Sequence, residues 1–272
     1  WGFAVPVRVD SFALHADKDV LTIDSAELTW GKDHFSLNGD VSASPEGFVV
    51  DMNLSSTGIE VNEIQQSLGK SEKTKEQKRG GGATFPWKPV IRGMIQFKAP
   101  YVVYGRYKIS PVQAVVTIGP DGLSAAVTDA KVCGLSVPGT IAFSRQGIQL
   151  NLTTNTSKQQ LEPDILCLSG ADVHMTGTFD LNAEVSARGK SGALLSSLEG
   201  NVDFKAKNGK IYRYPLLAKI FSVLSMTELF RWKAPELGGS GFAYHSMTVQ
   251  GRLHNGKLEL EKMFLDGSSL DI

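Results

Sequence analysis

Few side chains in this sequence stand where they could perform chemistry together. None of the histidines forms an H-E-x-x-H pair or another local metal-binding pattern, and they lie far apart at His15, His34, His174, His245 and His254. Three of them fall on predicted polar strand faces or turns, where a histidine is ordinarily solvated. The pattern therefore predicts no metal site.

Carboxylates recur at even spacing at Asp172, Asp180 and Glu184. A facing pair of carboxylates is what glycoside hydrolysis requires. Even spacing, however, is also what the water-exposed face of any strand shows. We therefore interpret these side chains as one polar face and do not expect a catalytic pair.

The sequence has two cysteines, Cys133 and Cys167. They could be buried free thiols, which are common in protein cores. They could instead form a disulfide that closes a loop of about 34 residues and stabilises the fold by roughly 3–4 kcal/mol. The spacing alone leaves both interpretations open, and no nearby cysteine or histidine pair completes a zinc site.

Other signatures of catalysis or cofactor binding are missing. The sequence has no G-x-S-x-G elbow, no phosphate-binding loop and no G-x-G-x-x-G after a strand. It has 28 basic and 28 acidic residues, whereas domains that neutralise nucleic-acid phosphates have a basic excess. We expect no enzyme activity, no cofactor and no nucleic-acid partner.

No apolar run approaches the roughly 18 residues that a membrane-spanning helix needs. The sequence begins at Trp1 without an initiator methionine and stops within an apparent strand at Leu270–Ile272. We expect it to be a segment of a longer protein.

Hydrophobicity alternates with a period of two over most of the chain. From Val173 to Ser186 every second residue is apolar and the residues between are polar. Successive side chains of a strand point to opposite faces, so this stretch predicts a strand with one apolar and one polar face. The same alternation recurs near residues 35–41, 48–54, 91–97, 112–118, 148–152, 202–206 and 247–253.

Turn-forming sequences separate these strands. They are Asn38-Gly39, Pro45-Glu46-Gly47, Gly119-Pro120-Asp121-Gly122, Gln146-Gly147, Asn208-Gly209 and Asn255-Gly256. Short turns between strands about ten residues apart are typical of an antiparallel meander. We predict a mainly β fold.

Three segments interrupt the alternation. Residues 59–68 have apolar side chains near helical spacing, and residues 215–231 predict a second, more apolar helix that starts at Pro215. Residues 69–84 are charged and glycine-rich, which predicts a flexible loop. We therefore divide the chain into amino-terminal strands with a short helix (1–68), the loop (69–84) and a carboxy-terminal β region (85–272).

The apolar face of such a sheet has two possible roles. It can be covered by a second layer and form an ordinary core. It can instead line an open trough formed by a curled sheet. Periodicity does not distinguish these two arrangements.

The second half of the chain resembles the carboxy-terminal region of the AsmA-like family, the group that includes TamB and YhdP. The resembling elements are SLEGNVDFKAKNGKI (197–211), LLAKIFSVLSM (216–226), the hairpin from Gly241 to Lys257 and LDGSSLDI (265–272). The first 130 residues match only in the rhythm of their strands.

The resemblance implies a strongly twisted antiparallel meander that curls into an open hydrophobic groove, with one or two short amphipathic helices. Its apolar lining would be Val173, Met175, Phe179, Leu181, Val202, Phe204, Met247, Val249, Leu258 and Leu260. The predicted second helix would gate the groove or contact a membrane through Leu217, Ile220, Phe221 and Leu224.

The resemblance also implies a function. Such proteins lie in the periplasm of diderm bacteria, are anchored in the inner membrane, and are taken to conduct phospholipids towards the outer membrane. We expect the anchor to precede Trp1, and acyl chains, a membrane surface or envelope proteins to be the partners. A periplasmic setting favours the Cys133–Cys167 disulfide. The alternative is a structural or partner-binding β domain with a closed core and no ligand.

Overall fold

The computed structural model describes residues 7–61, 90–169, 174–190, 193–212, 241–267 and 270–271. Within these ranges the chain is mainly β, as the alternation predicts, and has one α-helix, α1 (Leu161–Ser169). The strands are β1 (Val7–Asp17), β2 (Val20–Trp30), β3 (Asp33–Ser44), β4 (Gly47–Ser56), β5 (Ile59–Glu60), β6 (Val90–Ala99), β7 (Val102–Tyr104), β8 (Tyr107–Gly119), β9 (Gly122–Val132), β10 (Leu135–Ser136), β11 (Gly139–Ser144), β12 (Gly147–Gln160), β13 (Thr178–Gly189), β14 (Glu199–Ile211), β15 (Phe242–His254), β16 (Lys257–Gly267) and β17 (Leu270–Asp271).

The chain divides into two compact units. Unit 1 consists of Trp1–Val132 and Val137–Leu150, and unit 2 of Cys133–Ser136 and Asn151–Ile272. This division differs from the predicted segments 1–68, 69–84 and 85–272. The reason is that strands on both sides of residues 61–89 pair with each other and belong to unit 1.

In unit 1 the strands follow one another in the spatial order β1, β2, β3, β4, β6, β8, β9, β11. These pairs are antiparallel, as predicted, except that β4 and β6 are parallel. The short strands β5 and β7 extend the same parallel arrangement. A parallel pair needs a long connection, and residues 61–89 provide it.

In unit 2 the strands β13, β14, β15, β16 and β17 form an antiparallel meander in sequence order. Helix α1 precedes it, and the Leu161 amide N–H donates to the Gly177 carbonyl over 2.9 Å. Among the described residues, no registered pairing joins β13 to β16 or β1 to β11, so each unit has an open ladder.

Two predicted turns are wrong. Asn38-Gly39 lies inside β3, and Asn208-Gly209 lies inside β14. Both strands have a long partner on each side, and continuing this pairing outweighs the local preference for a turn. Gly39 has φ +136° and Asn208 has φ +51°, so the turn-forming residues supply backbone irregularities within the strands instead.

The predicted helices have different outcomes. The helix predicted at 59–68 is wrong at its first two residues, because Ile59 and Glu60 form β5 and pair with β7, whereas Val61 is helical. Its remainder from residue 62, the predicted loop at 69–84 and the predicted helix at 215–231 lie outside the described residues.

Candidate functional site

The four long strands of unit 2 carry a grid of apolar side chains on one face, the unit 2 apolar face. Residues directly opposite each other in adjacent antiparallel strands point to the same side of the sheet. The registered partners form four rows across β13, β14, β15 and β16. The rows are Phe179, Ala206, Met247, Leu265; then Leu181, Phe204, Val249, Met263; then Ala183, Val202, Gly251, Leu260; then Val185, Gly200, Leu253, Leu258.

The rows that alternate with these form the opposite, polar face. They are Thr178, Lys207, Ser246, Asp266; then Asp180, Lys205, Thr248, Phe264; then Asn182, Asp203, Gln250, Lys262; then Glu184, Asn201, Arg252, Glu259. Phe264 is the apolar exception in this set. The sheet of unit 2 thus separates apolar from charged side chains over its whole described width.

Coverage of the unit 2 apolar face is uneven. The first row is buried: Phe179 is 4 % exposed and Leu265 is 1 % exposed. Every side chain of the second row is intermediate in exposure. At the far corner, Leu258 is 49 % exposed. The face is therefore packed along its first row and open at the corner of Leu258 and Leu260, whereas Ala183 in the third row is again buried.

The structure brings most of the predicted lining residues together. Phe179, Leu181, Val202, Phe204, Met247, Val249, Leu258 and Leu260 all lie on the unit 2 apolar face. Met175 is buried and forms an isolated bridge with Ile211 at its covered end. Val173 and the predicted helix residues Leu217, Ile220, Phe221 and Leu224 lie outside the described residues.

The covered end of this face is closed by hydrogen bonds as well as by packing. Tyr244 is 3 % exposed, and its hydroxyl donates to the Thr176 carbonyl over 2.6 Å. Burial raises the pKa of Tyr244 to about 12. Because the hydroxyl stays neutral, it can keep this bond at physiological pH.

Unit 1 carries a separate face of the same kind, the unit 1 apolar face. Three cross-strand rows each extend over eight strands, and the parallel β4–β6 pair keeps them in line. The rows are Phe12, Ala26, Leu37, Leu54, Phe97, Ala114, Val127, Gly139; then Leu14, Ile23, Gly39, Met52, Ile95, Val116, Ala125, Ile141; then Ala16, Leu21, Val41, Val50, Gly93, Ile118, Leu123, Phe143.

The unit 1 apolar face is largely uncovered. Of its three rows only Ile23, Ala26 and Ala114 are buried. Phe12 is 53 % exposed and Phe143 is 46 % exposed at its two margins. Soluble proteins rarely leave a contiguous apolar patch of this extent in water, and such patches mark surfaces that bind a ligand, a membrane or another protein.

The opposite face of unit 1 is held by polar contacts between neighbouring strands. The Asn53 amide donates to Asn38 Oδ1 over 3.0 Å, and the Thr22 hydroxyl donates to Asp40 Oδ1 over 2.6 Å. These contacts fix the register of the strands without placing any polar group on the apolar side.

Several charged groups of the polar face of unit 2 contact neighbouring residues. Gln250 Nε2 donates to Asp203 Oδ2 over 2.8 Å, and Arg252 Nη2 lies 3.1 Å from Glu261 Oε1. Asp180 Oδ1 accepts the Lys158 amide N–H over 2.9 Å. Asp172 lies outside the described residues.

The histidines do not converge on one site. His15 Nδ1 lies 3.1 Å from Asp24 Oδ2, and His254 Nδ1 lies 3.0 Å from Glu199 Oε2. His34 Nδ1 lies 3.0 Å from the Thr29 hydroxyl. Asn255 and His254 both hydrogen-bond Glu199, which lowers the pKa of that carboxyl. No group of three or more potential metal ligands occurs in the described ranges.

Helix α1 is an element that the alternation did not predict. Leu161, Ile165 and Leu168 follow helical spacing, and Pro163 with two acidic residues stands in the first turn, so the signal was available. The structure joins Cys167 of this helix to Cys133 in a disulfide with a Cα–Cα distance of 5.5 Å.

None of the described helices is long and apolar enough to cross a membrane. Comparisons with models of protein families, with curated proteins and with solved structures find no match to this chain.

Proposed function

We propose that the apolar faces of the two units hold the acyl chains of phospholipids and shield them from water. One observation carries the proposal. The second row of the unit 2 apolar face, Leu181, Phe204, Val249 and Met263, is entirely apolar and yet only half-covered. A surface of this kind gains free energy from any apolar ligand that covers it.

An acyl chain is a suitable ligand for such a surface. Each methylene removed from water contributes about 0.8 kcal/mol. The rows of both apolar faces contain no charged or hydrogen-bonding side chain, so no fixed polar group would hold a lipid at one position. Acyl chains could therefore slide along the face, as conduction requires.

The resemblance to the AsmA-like family supports a particular setting for this activity. We propose that the chain is part of a periplasmic protein anchored in the inner membrane, and that it conducts phospholipids between the inner and outer membranes. This role needs no catalytic residue and no cofactor.

Site-specific photo-crosslinking tests the proposal. A photo-reactive amino acid at Phe204 on the apolar face should crosslink to acyl chains of bacterial phospholipid, either bound or supplied as vesicles. The matched control is Lys205, the next residue of β14, which points to the polar face. Equal lipid labelling at the two positions, or none at Phe204, would contradict the proposal.

The alternative function is a structural or partner-binding β domain. The buried row of Phe179, Ala206, Met247 and Leu265 favours it, because that end of the face is an ordinary core. In the same experiment this alternative predicts crosslinks from Phe204 to protein and not to lipid.

A further inference from the structure

A second candidate site involves α1 and the turn at Cys133, whose residues belong to none of the described rows of the apolar faces. The disulfide joins Cys167, which is exposed, to Cys133, which is half-buried. An incoming sulfur nucleophile can therefore reach Cys167, while Cys133 is in the position of a leaving group. Access of this kind is one of the factors that control thiol–disulfide exchange.

A buried carboxyl on α1 lies close to the turn that contains Cys133. Asp164 is 7 % exposed, and its Oδ2 is buried without a hydrogen-bond partner. It precedes Cys167 by three residues on α1, and residues three apart lie on the same side of a helix. It also faces the residue after Cys133, because a Cβ on Gly134 would lie 2.7 Å from Asp164 Oδ1.

An unpartnered buried carboxylate is costly, whereas a neutral carboxylic acid is less so. Burial correspondingly raises the pKa of Asp164 above its ordinary value. The group can thus hold a proton at pH values where an exposed aspartate would have lost it.

The backbone at Cys133 stores some strain. Its φ is +50°, and an L-residue other than glycine in this left-handed region costs roughly 1–2 kcal/mol. Gly134 is also left-handed, with φ +78°, and the two residues form the turn between β9 and β10.

We propose that Cys133–Cys167 is a thiol–disulfide exchange site in which Asp164 protonates the departing Cys133 sulfur. A thiolate of a dithiol reductant attacks Cys167 Sγ and forms a mixed disulfide. The Cys133–Cys167 bond breaks, its electron pair stays on Cys133 Sγ, and the Asp164 carboxylic acid gives that sulfur its proton. The second thiol of the reductant then displaces Cys167 as a thiolate, so the protein gains two electrons and the reductant becomes a disulfide.

This site is independent of acyl-chain binding, and its partner is a protein or small molecule that carries two thiols. The reverse sequence re-forms the bond, and Asp164 then accepts the proton of Cys133. Exchange at this site would attach α1 to the turn at Cys133 and Gly134, or release it from that turn, according to the redox state.

The rate of disulfide reduction by dithiothreitol tests the proposal. The rate constant, divided by the fraction of reductant present as thiolate, should fall roughly tenfold as the pH rises through the pKa of Asp164, which burial raises above its ordinary value. This is less than the factor typical of enzymatic general acids, because no site holds the reductant. Asp164→Asn keeps the side-chain size and should give a slow rate constant that does not change with pH.

Glu162→Gln and His174→Gln are the controls, because they remove two other ionisable side chains on and beside α1, whose nearest N and O atoms lie 3.8 Å apart. Both variants should show the same dependence of the thiolate-corrected rate constant on pH as the wild type. In denaturant the disulfides of all variants should be reduced equally fast. The proposal is overturned if the rate constant of Asp164→Asn depends on pH in the same way as that of the wild type. If that variant does not fold, a thiolate-corrected wild-type rate constant that stays flat over the whole pH range in which the wild-type protein is folded overturns it.

Discussion

Phe204 lies directly opposite Val249 across strands β14 and β15, and both side chains are only half-covered. One residue along, Asp203 lies opposite Gln250 on the other face and accepts its hydrogen bond. The pair of strands β14 and β15 thus has a half-covered apolar side and a hydrogen-bonded polar side. The following predictions depend on this separation.

A charge on the apolar face should remove lipid binding. Val249→Asp places a carboxylate in the half-covered row, where an acyl chain would have to desolvate it. We expect this variant to lose crosslinking and co-purified lipid, and to unfold with a free energy lower by roughly 0.5–3 kcal/mol. Lipid content by mass spectrometry and a urea titration measure the two effects.

The matched control for this substitution is Thr248→Asp. Thr248 is the preceding residue of β15 and lies opposite Lys205 on the polar face. It should retain lipid, because its carboxylate remains in water. Loss of lipid in both variants would indicate a general effect of the added charge and would count against the acyl-chain surface.

Unit 1 should bind acyl chains through its own rows. A photo-reactive residue at Met52 or Ile95, which are registered partners on the apolar face, should label phospholipid. Asn53 and Gln96 are the next residues of the same strands and point to the polar face, so they should not. Lipid labelling confined to unit 2 would show that the unit 1 apolar face has a different occupant.

The disulfide should contribute substantially to stability. Replacing Cys133 and Cys167 by serine should lower the free energy of unfolding by about 3–4 kcal/mol, because the oxidised unfolded chain is constrained by a loop of about 34 residues. Chemical denaturation measures this difference. In the unreduced wild-type protein neither thiol should react with maleimide, and reaction of both would show that the bond is absent in solution.

Tyr244 should make stability depend on alkaline pH. Its folded-state pKa of about 12 lies above the value of 10.0 for a free tyrosine, so its contribution is complete below pH 10. This contribution to the free energy of unfolding is lost as the pH rises from 10 through 12, because Tyr244 loses its proton in the unfolded state before it does so in the folded state. Tyr244→Phe should be less stable at pH 7 by roughly 1 kcal/mol, the typical value of one hydrogen bond.

The stability difference between wild type and Tyr244→Phe should narrow across that alkaline range. Other tyrosines titrate in both proteins, and the comparison cancels their contribution. A difference that stays constant from pH 9 to pH 12 would contradict the assignment.

The sequence predicted which side chains share a face but not how well that face is covered. Alternation with a period of two places Phe179 and Leu181 on one side of β13, and the register between β13 and β14 adds Phe204 to that side. Phe179 is buried, whereas Phe204 on the same face is only half-covered. Periodicity contains no information about which part of a face other residues cover.

Non-local pairing also accounts for the errors. The parallel β4–β6 pair depends on a crossover that hairpin signals do not encode. Asn38-Gly39 resembles a turn, but pairing of β3 with strands on both sides keeps it extended. Asp164 escaped notice because its significance depends on its own burial and on its proximity to Gly134, neither of which is visible in a nine-residue helix sequence.

Mass spectrometry of lipids extracted from the purified protein tests the central claim most directly. If the apolar faces hold acyl chains, phospholipid should be recovered in amounts comparable with the protein, and Val249→Asp should retain less than Thr248→Asp. Recovery of no phospholipid from the wild-type protein, together with no lipid crosslink at Phe204, would contradict the claim.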